Sequence, residues 1–254
     1  MGAPFDVSVF RWVLSQMSDP DRQALLSIIE ALCGVNKTYS YLEIGSYLGG
    51  SLQPHVLDAR CAHIYSIDPR LFQLPDERFP SGYQYEGNTT EHMLSLLSAI
   101  PGADIAKIQS FETSISDLDA NSIPANIDFA FIDGEHTNAA VERDFEAVRR
   151  YLAQASIVAF HDCFFTPIAI LRIARRLRRS GEAHRALYLP NSDVVAIVFG
   201  SEPLAGALER SGWKRELPMT YSLGVRLFLK RRLPKLASVF IRFREALLRK
   251  KAGV

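Results

Sequence analysis

The chain has 254 residues, 48% of them hydrophobic and 22% charged, a composition that predicts a globular protein with a sizeable core and excludes disordered and collagen-like classes. The net charge of +1 hides an asymmetry: the residues from Arg226 onward carry ten Lys/Arg and one Glu, a balance of +9 that leaves −8 for residues 1–225. Three widely spaced cysteines argue against a disulfide framework and against C-x-x-C metal sites, so buried thiols are expected at Cys33, Cys61 and Cys163.

Two helices are predicted before the first strand. Apolar residues recur at helical spacing over 5–17, and Asp19 followed by Pro20 gives an N-cap with proline at the first helical position. Gly34 is the type of residue that follows a helix end. We assign residues 1–36 to these N-terminal helices.

The stretch Tyr41–Leu52 is an apolar run that breaks into glycines, which predicts a strand, a tight turn and a helix. Gly45, Gly49 and Gly50 permit a positive φ or the close approach of a ligand to the backbone. The spacing differs from the dinucleotide pattern G-x-G-x-x-G, because Tyr47 stands at the second glycine position. A nucleotide-like ligand is one interpretation, and a glycine turn without a ligand is the other.

Strands and helices alternate along the rest of the chain. Strands are predicted at 63–68, 105–109, 127–134, 156–162, 194–199 and 225–230, and helices near 51–60, 89–99, 141–152, 166–179 and 203–210. Residues 69–88, rich in proline, glycine and polar side chains, are predicted to be a surface excursion without regular structure. The alternation predicts one α/β domain over residues 37–232, with a mostly parallel sheet covered on both faces.

Four of the predicted strands end in residues that carry chemistry. In an open parallel sheet, ligands bind outside the carboxyl ends of the strands, near the point where the strand order reverses. The residues at these ends are Glu43 and Gly45, then Asp68, then Asp133 and His136, and last His161 and Asp162. Asp68 follows Gly45 by 23 residues, close to the spacing of a carboxylate that binds a ribose diol, although a cap before Pro69 is the alternative.

The combined motifs resemble those of class I S-adenosylmethionine-dependent methyltransferases, and within them the metal-dependent sugar and natural-product O-methyltransferases of the macrolide-sugar and cephamycin-tailoring type. The residues that carry the resemblance, within about 38–200, are Leu42–Ser51, Ser66–Asp68, Phe131–His136, Asp144 and Phe160–Asp162. Each motif is weak alone, and their combination is specific. The resemblance implies a Rossmann-like, doubly wound, seven-stranded and mostly parallel sheet whose last strand is antiparallel.

The resemblance also implies S-adenosyl-L-methionine as the cofactor and a set of residues that bind it. The methyl donor would lie over Gly45, Ser46 and Tyr47, with its ribose on Asp68 and its adenine near Ser110. The full implied set is Glu43, Gly45, Ser46, Tyr47, Gly49, Ser51, Asp68, Ser110 and Asp133.

The later strand ends indicate how the acceptor is activated. Asp133 and Asp162 are hard oxygen ligands that suit Mg²⁺, which can orient two vicinal substrate oxygens and lower the pKa of a bound hydroxyl. His136 is placed to act as the general base, a role that a histidine at this offset has in the sugar methyltransferases that the chain resembles. The alternative for His136 is an exposed turn or cap residue.

His161 is a departure from the pattern, because several metal-dependent relatives carry Glu at this position. Three interpretations stay open. His161 is a nitrogen ligand beside Asp133 and Asp162, which would favour Mn²⁺ or a later transition metal, or it is a second base, or the site holds no metal.

We expect transfer to a hydroxyl of a sugar, a glycoconjugate or a glycosylated natural product. Nucleic acid is an unlikely acceptor on this sequence, because the Asn/Asp-Pro-Pro-Tyr tetrad of base methylation is absent after the strand at 127–134. One rival is an NAD-linked oxidoreductase, which the Glu43-x-Gly45-x-x-x-Gly49 spacing disfavours. Another is a non-catalytic, donor-binding scaffold protein.

The C-terminal residues 233–254 are predicted to form a basic amphipathic helix. Such a helix suits peripheral contact with the inner face of an anionic membrane, and equally well packing on the domain or on a second subunit of a homo-oligomer. The sequence shows neither a bilayer-length apolar run nor the charged and apolar segments of a signal peptide, so a cytoplasmic location is expected.

Overall fold

A seven-stranded sheet organises the computed structural model, which describes residues 5–215. The strands are β1 (Tyr39–Ile44), β2 (Cys61–Ile67), β3 (Gln73–Asp76), β4 (Phe79–Gln84), β5 (Ile108–Phe111), β6 (Ile127–Ile132), β7 (Leu152–Phe160), β8 (His184–Tyr188) and β9 (Val195–Phe199). The α-helices are α1 (Asp19–Val35), α2 (Gln53–Leu57), α3 (Thr90–Ser98), α4 (Asn138–Val148), α5 (Pro167–Ser180) and α6 (Glu202–Arg210). Short 3₁₀ turns lie at Val7–Phe10, Ile105–Lys107 and Arg149–Tyr151.

The strand order in the main sheet is β5-β2-β1-β6-β7-β9-β8. The pairings from β5 to β7 are all parallel, whereas β9 runs antiparallel to both of its neighbours. The predicted α/β fold, with seven strands, mostly parallel pairing and an antiparallel strand, is thereby confirmed. The chain order reverses between β1 and β6, so a ligand is expected outside the carboxyl ends of these two strands.

The inner strands are buried on both faces, as parallel strands covered by helices are. All six residues of β1 and all five of β9 are buried. On one face, Leu25 and Ile28 of α1 belong to the same hydrophobic core as Phe129 of β6. Trp213 closes this core, and its indole Nε1 donates a 2.9 Å hydrogen bond to Ser27 of α1. The core therefore fixes α1 against the central strands.

The helix predicted over 5–17 is wrong. Only Val7–Phe10 forms a 3₁₀ turn, and the chain then runs without regular structure to Ser18, which is the N-cap of α1. The reason is the fully buried amide of Gln53, which accepts hydrogen bonds from the backbone N–H groups of Trp12 and Val13, each at 2.9 Å. These contacts take the place of a helical hydrogen-bond ladder.

Other predicted boundaries also change. The strand predicted at 105–109 begins as a 3₁₀ turn and continues as β5, and Gly34 lies inside α1 rather than beyond its end. Residues 69–88 are not without regular structure, because they contain the antiparallel hairpin β3–β4. Strand β8 was not predicted, and it supplies the seventh strand of the sheet.

Two predictions fall outside the described residues: the strand at 225–230 and the basic helix at 233–254. Within residues 5–215, none of the helices combines the length and the apolar character needed to cross a membrane.

Candidate active site

Gly45 brings the ends of β1 and β6 together. It has φ +87°, and a Cβ at this position would collide with the backbone oxygen of Asp133 and lie 2.5 Å from Cα of Gly134. The close approach predicted for this glycine is thus made by the chain itself. As a result, the turn after β1 and the residues after β6 share one edge of the sheet.

Glu43, near the end of β1, stabilises the glycine-rich turn through side-chain hydrogen bonds. Its buried carboxyl group accepts a 2.6 Å hydrogen bond from Tyr41 and another from the hydroxyl of Ser51. Burial raises the pKa of Glu43 to about 8, although the two hydrogen bonds act to lower it. Both carboxylate oxygens are engaged within the protein, so the contact of Glu43 and Ser51 with the methyl donor remains a prediction.

An open cleft lies in front of this turn. Its walls are Leu14–Met17, Gly45–Leu48, Gly50, Ser51, Tyr85, Asp133 and His136. The segment before α1 can form one wall because Gly50 has no side chain, and a Cβ there would collide with the backbone oxygen of Leu14. Gly49, with φ +82°, instead faces Met93 and Leu97 of α3. The cleft therefore joins the predicted donor residues Gly45, Ser46 and Tyr47 to Asp133.

Asp68 lies at the end of β2 and is 4% exposed. Its carboxylate accepts hydrogen bonds from the backbone N–H of Tyr47 at 3.0 Å and of Arg70 at 2.8 Å, and from the side chain of Asn88 at 3.3 Å. The guanidinium of Arg70 lies 3.6 Å from Asp68 and donates to the backbone oxygen of Tyr47 at 2.6 Å. Since a carboxylate accepts about four hydrogen bonds, Asp68 has little capacity left for a ribose diol while Arg70 stays in this position.

Serine hydroxyls continue the polar edge from the turn to β5. Ser46 lies 2.7 Å from Ser66 of β2, and Ser66 is paired in register with Ser110. The buried hydroxyl oxygen of Ser110 has no hydrogen-bond partner among the described residues. A buried hydroxyl without a partner is unfavourable, and the contact of Ser110 with the adenine of a methyl donor remains a prediction.

The four polar side chains at the ends of β6 and β7 come together as predicted. We call Asp133, His136, His161 and Asp162 the acid–histidine cluster. His161 Nδ1 lies 3.0 Å from Asp133 Oδ1, and His136 Nε2 lies 3.0 Å from Asp162 Oδ2 and 3.6 Å from Asp133 Oδ1. His136 is 7% exposed and lines the cleft, so it is not the exposed turn residue that was the alternative.

The β3–β4 hairpin adds two charged residues that the sequence did not indicate. Asp76 Oδ2 lies 2.9 Å from His136 Nδ1, and Arg78 donates to Asp162 Oδ2 at 2.9 Å. No motif pointed to them, because residues 69–88 were predicted to have no regular structure. The signal that was available is a run of three charged residues, Asp76, Glu77 and Arg78, inside a segment otherwise rich in aromatic residues, proline and glycine.

Asp21 of α1 is a third residue that the sequence did not indicate. Its carboxylate completes the capping box of Ser18 and accepts a 2.6 Å hydrogen bond from the backbone N–H of Asp193. The same carboxylate lies 3.5 Å from His161 Nε2. His161 is therefore held between Asp21 and Asp133, with each ring nitrogen directed at a carboxylate.

The surrounding carboxylates set the proton affinity of both imidazoles. Burial acts to lower the pKa of His136, but Asp162, Asp133 and Asp76 outweigh it and raise the pKa to about 9. The pKa of His161 is likewise raised well above its usual value by Asp133 and Asp162 against burial. The pKa of Asp76 falls to about 2, because its hydrogen bonds to His136 and the hairpin arginine exceed the effect of burial. The resting site thus consists of mutually paired charges.

A divalent ion has one candidate set of ligands in the described part of the chain. Donor atoms of Asp133, His136 and Asp162 lie within 4.8 Å of one another. His161, which we predicted as a ligand, is not in this set. Two members of the set, His136 and Asp162, are already in contact with Arg78, at 2.7 and 2.9 Å. The residues therefore do not present an open cation site while Arg78 occupies this position.

Comparison with known proteins supports the fold and the cofactor class. Residues 42–163 match a family model described as a methyltransferase domain. An uncharacterized protein of Acanthamoeba polyphaga mimivirus is 25% identical over 126 residues, which are 48% of this chain and 51% of that protein. The chain thus spans about half the length of the curated relative that it matches.

Solved structures share the fold at low identity. The calicheamicin methyltransferase CalS11 is 16% identical, with a TM-score of 0.50 over 72% of this chain and 80% of that one. The O-methyltransferase NovP is 14% identical, with a TM-score of 0.53 over 71% of this chain and 81% of that one. A Corynebacterium glutamicum protein is 15% identical, with a TM-score of 0.54 over 78% of this chain and 92% of that one. The matched domain over residues 42–163 and the strand order are those of the class I, S-adenosylmethionine-dependent methyltransferase fold.

Proposed function

We propose that the protein transfers a methyl group from S-adenosylmethionine to a hydroxyl of a small polar acceptor, and that His136 is the general base. The acceptor class that we favour is a sugar, a glycoconjugate or a glycosylated natural product. The observation that carries the proposal is the position of His136, which lines the cleft beside Gly45–Tyr47, with Asp76 2.9 Å from its Nδ1 and Asp162 3.0 Å from its Nε2. In its neutral form this imidazole can accept the proton of an acceptor hydroxyl in the cleft.

The donor side of the cleft is built from the turn after β1. Gly45, Ser46 and Tyr47 would hold S-adenosylmethionine, with Asp133 beside them and Ser110 offering its unpartnered hydroxyl. When bound, this cofactor supplies an electrophilic methyl group on a sulfonium, which needs alignment rather than activation. The Asp68 carboxylate would support the same side through its hydrogen bond to the backbone of Tyr47.

The acceptor oxygen must be activated by removal of its proton, because an alcohol is a weak nucleophile. His136 Nε2 takes the hydroxyl proton while the oxygen forms its bond to the methyl carbon, and the electron pair of the broken carbon–sulfur bond stays on sulfur. Asp76 Oδ2 lies 2.9 Å from Nδ1 and can accept a hydrogen bond from it, against the donor Arg78 Nη2 at 2.7 Å, and a proton held on Nδ1 leaves Nε2 as the basic atom. The products are a methyl ether, S-adenosylhomocysteine and a protonated His136. Because the pKa of His136 is about 9, its neutral form and the rate should increase up to that pH.

Aromatic rings support a saccharide as the acceptor. The guanidinium of Arg78 lies 5.8, 5.7 and 4.9 Å from the ring centroids of Phe79, Tyr83 and Phe165. Tyr83 also packs against Tyr85, which lines the cleft, with ring centroids 5.0 Å apart and ring planes tilted by 60°. A saccharide has C–H groups that can pack on aromatic rings and hydroxyls that can bond to polar side chains, and this part of the site contains both kinds of side chain.

The test has two stages. Calorimetry with S-adenosylhomocysteine and with NAD identifies the cofactor, and binding of NAD alone would favour the oxidoreductase. Labelled S-adenosylmethionine is then incubated with fractionated extract, and the products are identified by mass spectrometry. We expect a methyl ether, made at least 100-fold more slowly by His136→Ala and at the normal rate by His63→Ala, whose histidine is exposed on β2. Cofactor binding without any transfer would favour the scaffold protein.

A further inference from the structure

Arg78 is held in the active site by backbone contacts of its hairpin. Asp76 forms an isolated bridge with His136, and the backbone N–H of Glu77 donates to the backbone oxygen of His136 at 3.1 Å. The side chain of Asn138, at the start of α4, donates to both oxygens of Glu77 at 2.8 Å. The hairpin is thus fixed to the residues that follow β6, and the position of Arg78 follows from it.

The guanidinium of Arg78 satisfies two carboxylates of the site. Three of its contacts go to Asp76, at 2.6 to 2.9 Å, and one goes to Asp162 at 2.9 Å. Its Nη2 atom also lies 2.7 Å from His136 Nδ1. The side chain is 15% exposed, and the aromatic rings of the hairpin and of Phe165 surround it. A buried charge with this many partners is unlike a solvated surface arginine.

The same positions are the ones that a divalent ion would need. An ion held by Asp133, His136 and Asp162 would share the carboxylate of Asp162 with Arg78, which donates to its Oδ2. It would also lie close to a guanidinium that cannot lose its charge. Binding of such an ion is therefore opposed by the charge of Arg78 and by its contacts to Asp162 and His136.

His161 makes the site a still poorer match for a metal. Its two ring nitrogens face Asp133 at 3.0 Å and Asp21 at 3.5 Å. Its Nδ1 thereby engages an oxygen of Asp133, a member of the candidate ligand set, and its Nε2 is turned away from that set. Fewer free carboxylate oxygens lower the affinity for Mg²⁺.

We propose that Arg78 is the resident cation of the acceptor site, that it takes the place of a divalent metal ion, and that this methyltransferase works without one. Arg78 is a positioning residue: it neutralises Asp162 and Asp76 and thereby fixes His136 between them. The part of this inference that concerns catalysis rests on the function proposed above. The part that concerns metal binding does not.

The experiment measures Mn²⁺ binding to the full-length protein by electron paramagnetic resonance, without a methyl donor. We expect no site with a dissociation constant below about 1 mM in the wild type. Arg78→Ala should bind one Mn²⁺ at least tenfold more tightly, and the double variant Arg78→Ala/Asp133→Asn should lose this binding. The matched control is Arg172→Ala, whose exposed arginine pairs with Glu142 at 3.0 Å and should give the wild-type result.

Two results would overturn the proposal. One is tight Mn²⁺ binding by the wild type that Asp162→Asn abolishes, and the other is a folded Arg78→Ala variant that gains no binding. If Arg78→Ala does not fold, Arg78→Gln serves in its place, and the wild-type titration decides by itself. Methyl transfer by chelator-treated enzyme, once an acceptor is known, should be unchanged in the wild type. Failure to bind S-adenosylhomocysteine would count against the proposed function and not against this inference.

Discussion

His136 Nδ1 lies 2.9 Å from Asp76 Oδ2, although 60 positions of the chain separate the two residues. The carboxylate comes from the β3–β4 hairpin and the imidazole from the turn after β6. An acid on one ring nitrogen fixes the tautomer that leaves the other nitrogen basic. The hairpin therefore supplies one of the groups on which the proposed proton transfer depends, and the residues at the strand ends supply the others.

Asp76→Asn should lower kcat by about 100-fold or more, because an amide can donate to Nδ1 and so favour the wrong tautomer of His136. The affinity for S-adenosylhomocysteine should stay within about twofold, since Asp76 lies on the acceptor side. Steady-state kinetics and calorimetry provide the two readouts. Asp19→Asn, at a carboxylate whose side chain is 71% exposed, is the matched control. An Asp76→Asn enzyme with a wild-type kcat would remove Asp76 from the mechanism.

Gly45→Ala should destabilise the protein by at least ~2 kcal/mol, because alanine is strained at φ +87° and its Cβ would collide with the backbone of Asp133. Urea unfolding measures the change. The control is Gly34→Ala in α1, where a Cβ meets nothing within 4 Å and should leave stability equal or raise it by about 1 kcal/mol. Equal stability of the two variants would show that the contact between the ends of β1 and β6 does not constrain Gly45.

Glu43 should make stability fall as the pH rises. Its pKa is about 8 in the folded protein and 4.5 as the ordinary value, so between these values the unfolded chain releases a proton that the folded one keeps. The stabilisation is complete below pH 4.5 and is lost as the pH rises through 8, which gives a decrease of order 2 kcal/mol between pH 6 and 8.

The measurement compares the wild type with Glu43→Gln, which keeps a side chain able to bond Tyr41 and Ser51 but does not titrate. Denaturant unfolding at pH 6, 7 and 8 should show the wild type losing stability relative to the variant. Subtraction of the two profiles cancels the contribution of the acid–histidine cluster. Parallel profiles would mean that Glu43 is ionised in the folded protein at pH 6.

The sequence predicted the parts of the site that lie at strand ends. Asp133, His136, His161 and Asp162 follow buried apolar runs, and parallel strands deliver their carboxyl ends to one edge. Asp76 and Arg78 were not predicted because the hairpin that carries them is short and is held by contacts with the turn after β6, which no local pattern encodes.

The same limit explains the error over residues 5–17. The spacing of the apolar residues there is that of a helix. The backbone, however, forms its hydrogen bonds with the buried side chain of Gln53 from α2. Pairing between a loop and a distant amide depends on tertiary structure, and periodicity records only which residues are apolar.

Gln53→Ala should release this segment, because its amide also donates to the backbone oxygens of Val13 at 2.9 Å and Gly50 at 2.7 Å. Removing the amide leaves several buried backbone groups without partners, which should lower stability by roughly 2 kcal/mol. Amide hydrogen exchange at Trp12 and Val13 should become at least 100-fold faster, while α1 stays protected. The affinity for S-adenosylhomocysteine should weaken about tenfold, because Leu14–Met17 wall the cleft. Gln154→Ala, at an exposed position of β7, should change none of these, and unchanged exchange in Gln53→Ala would show that other contacts hold the segment.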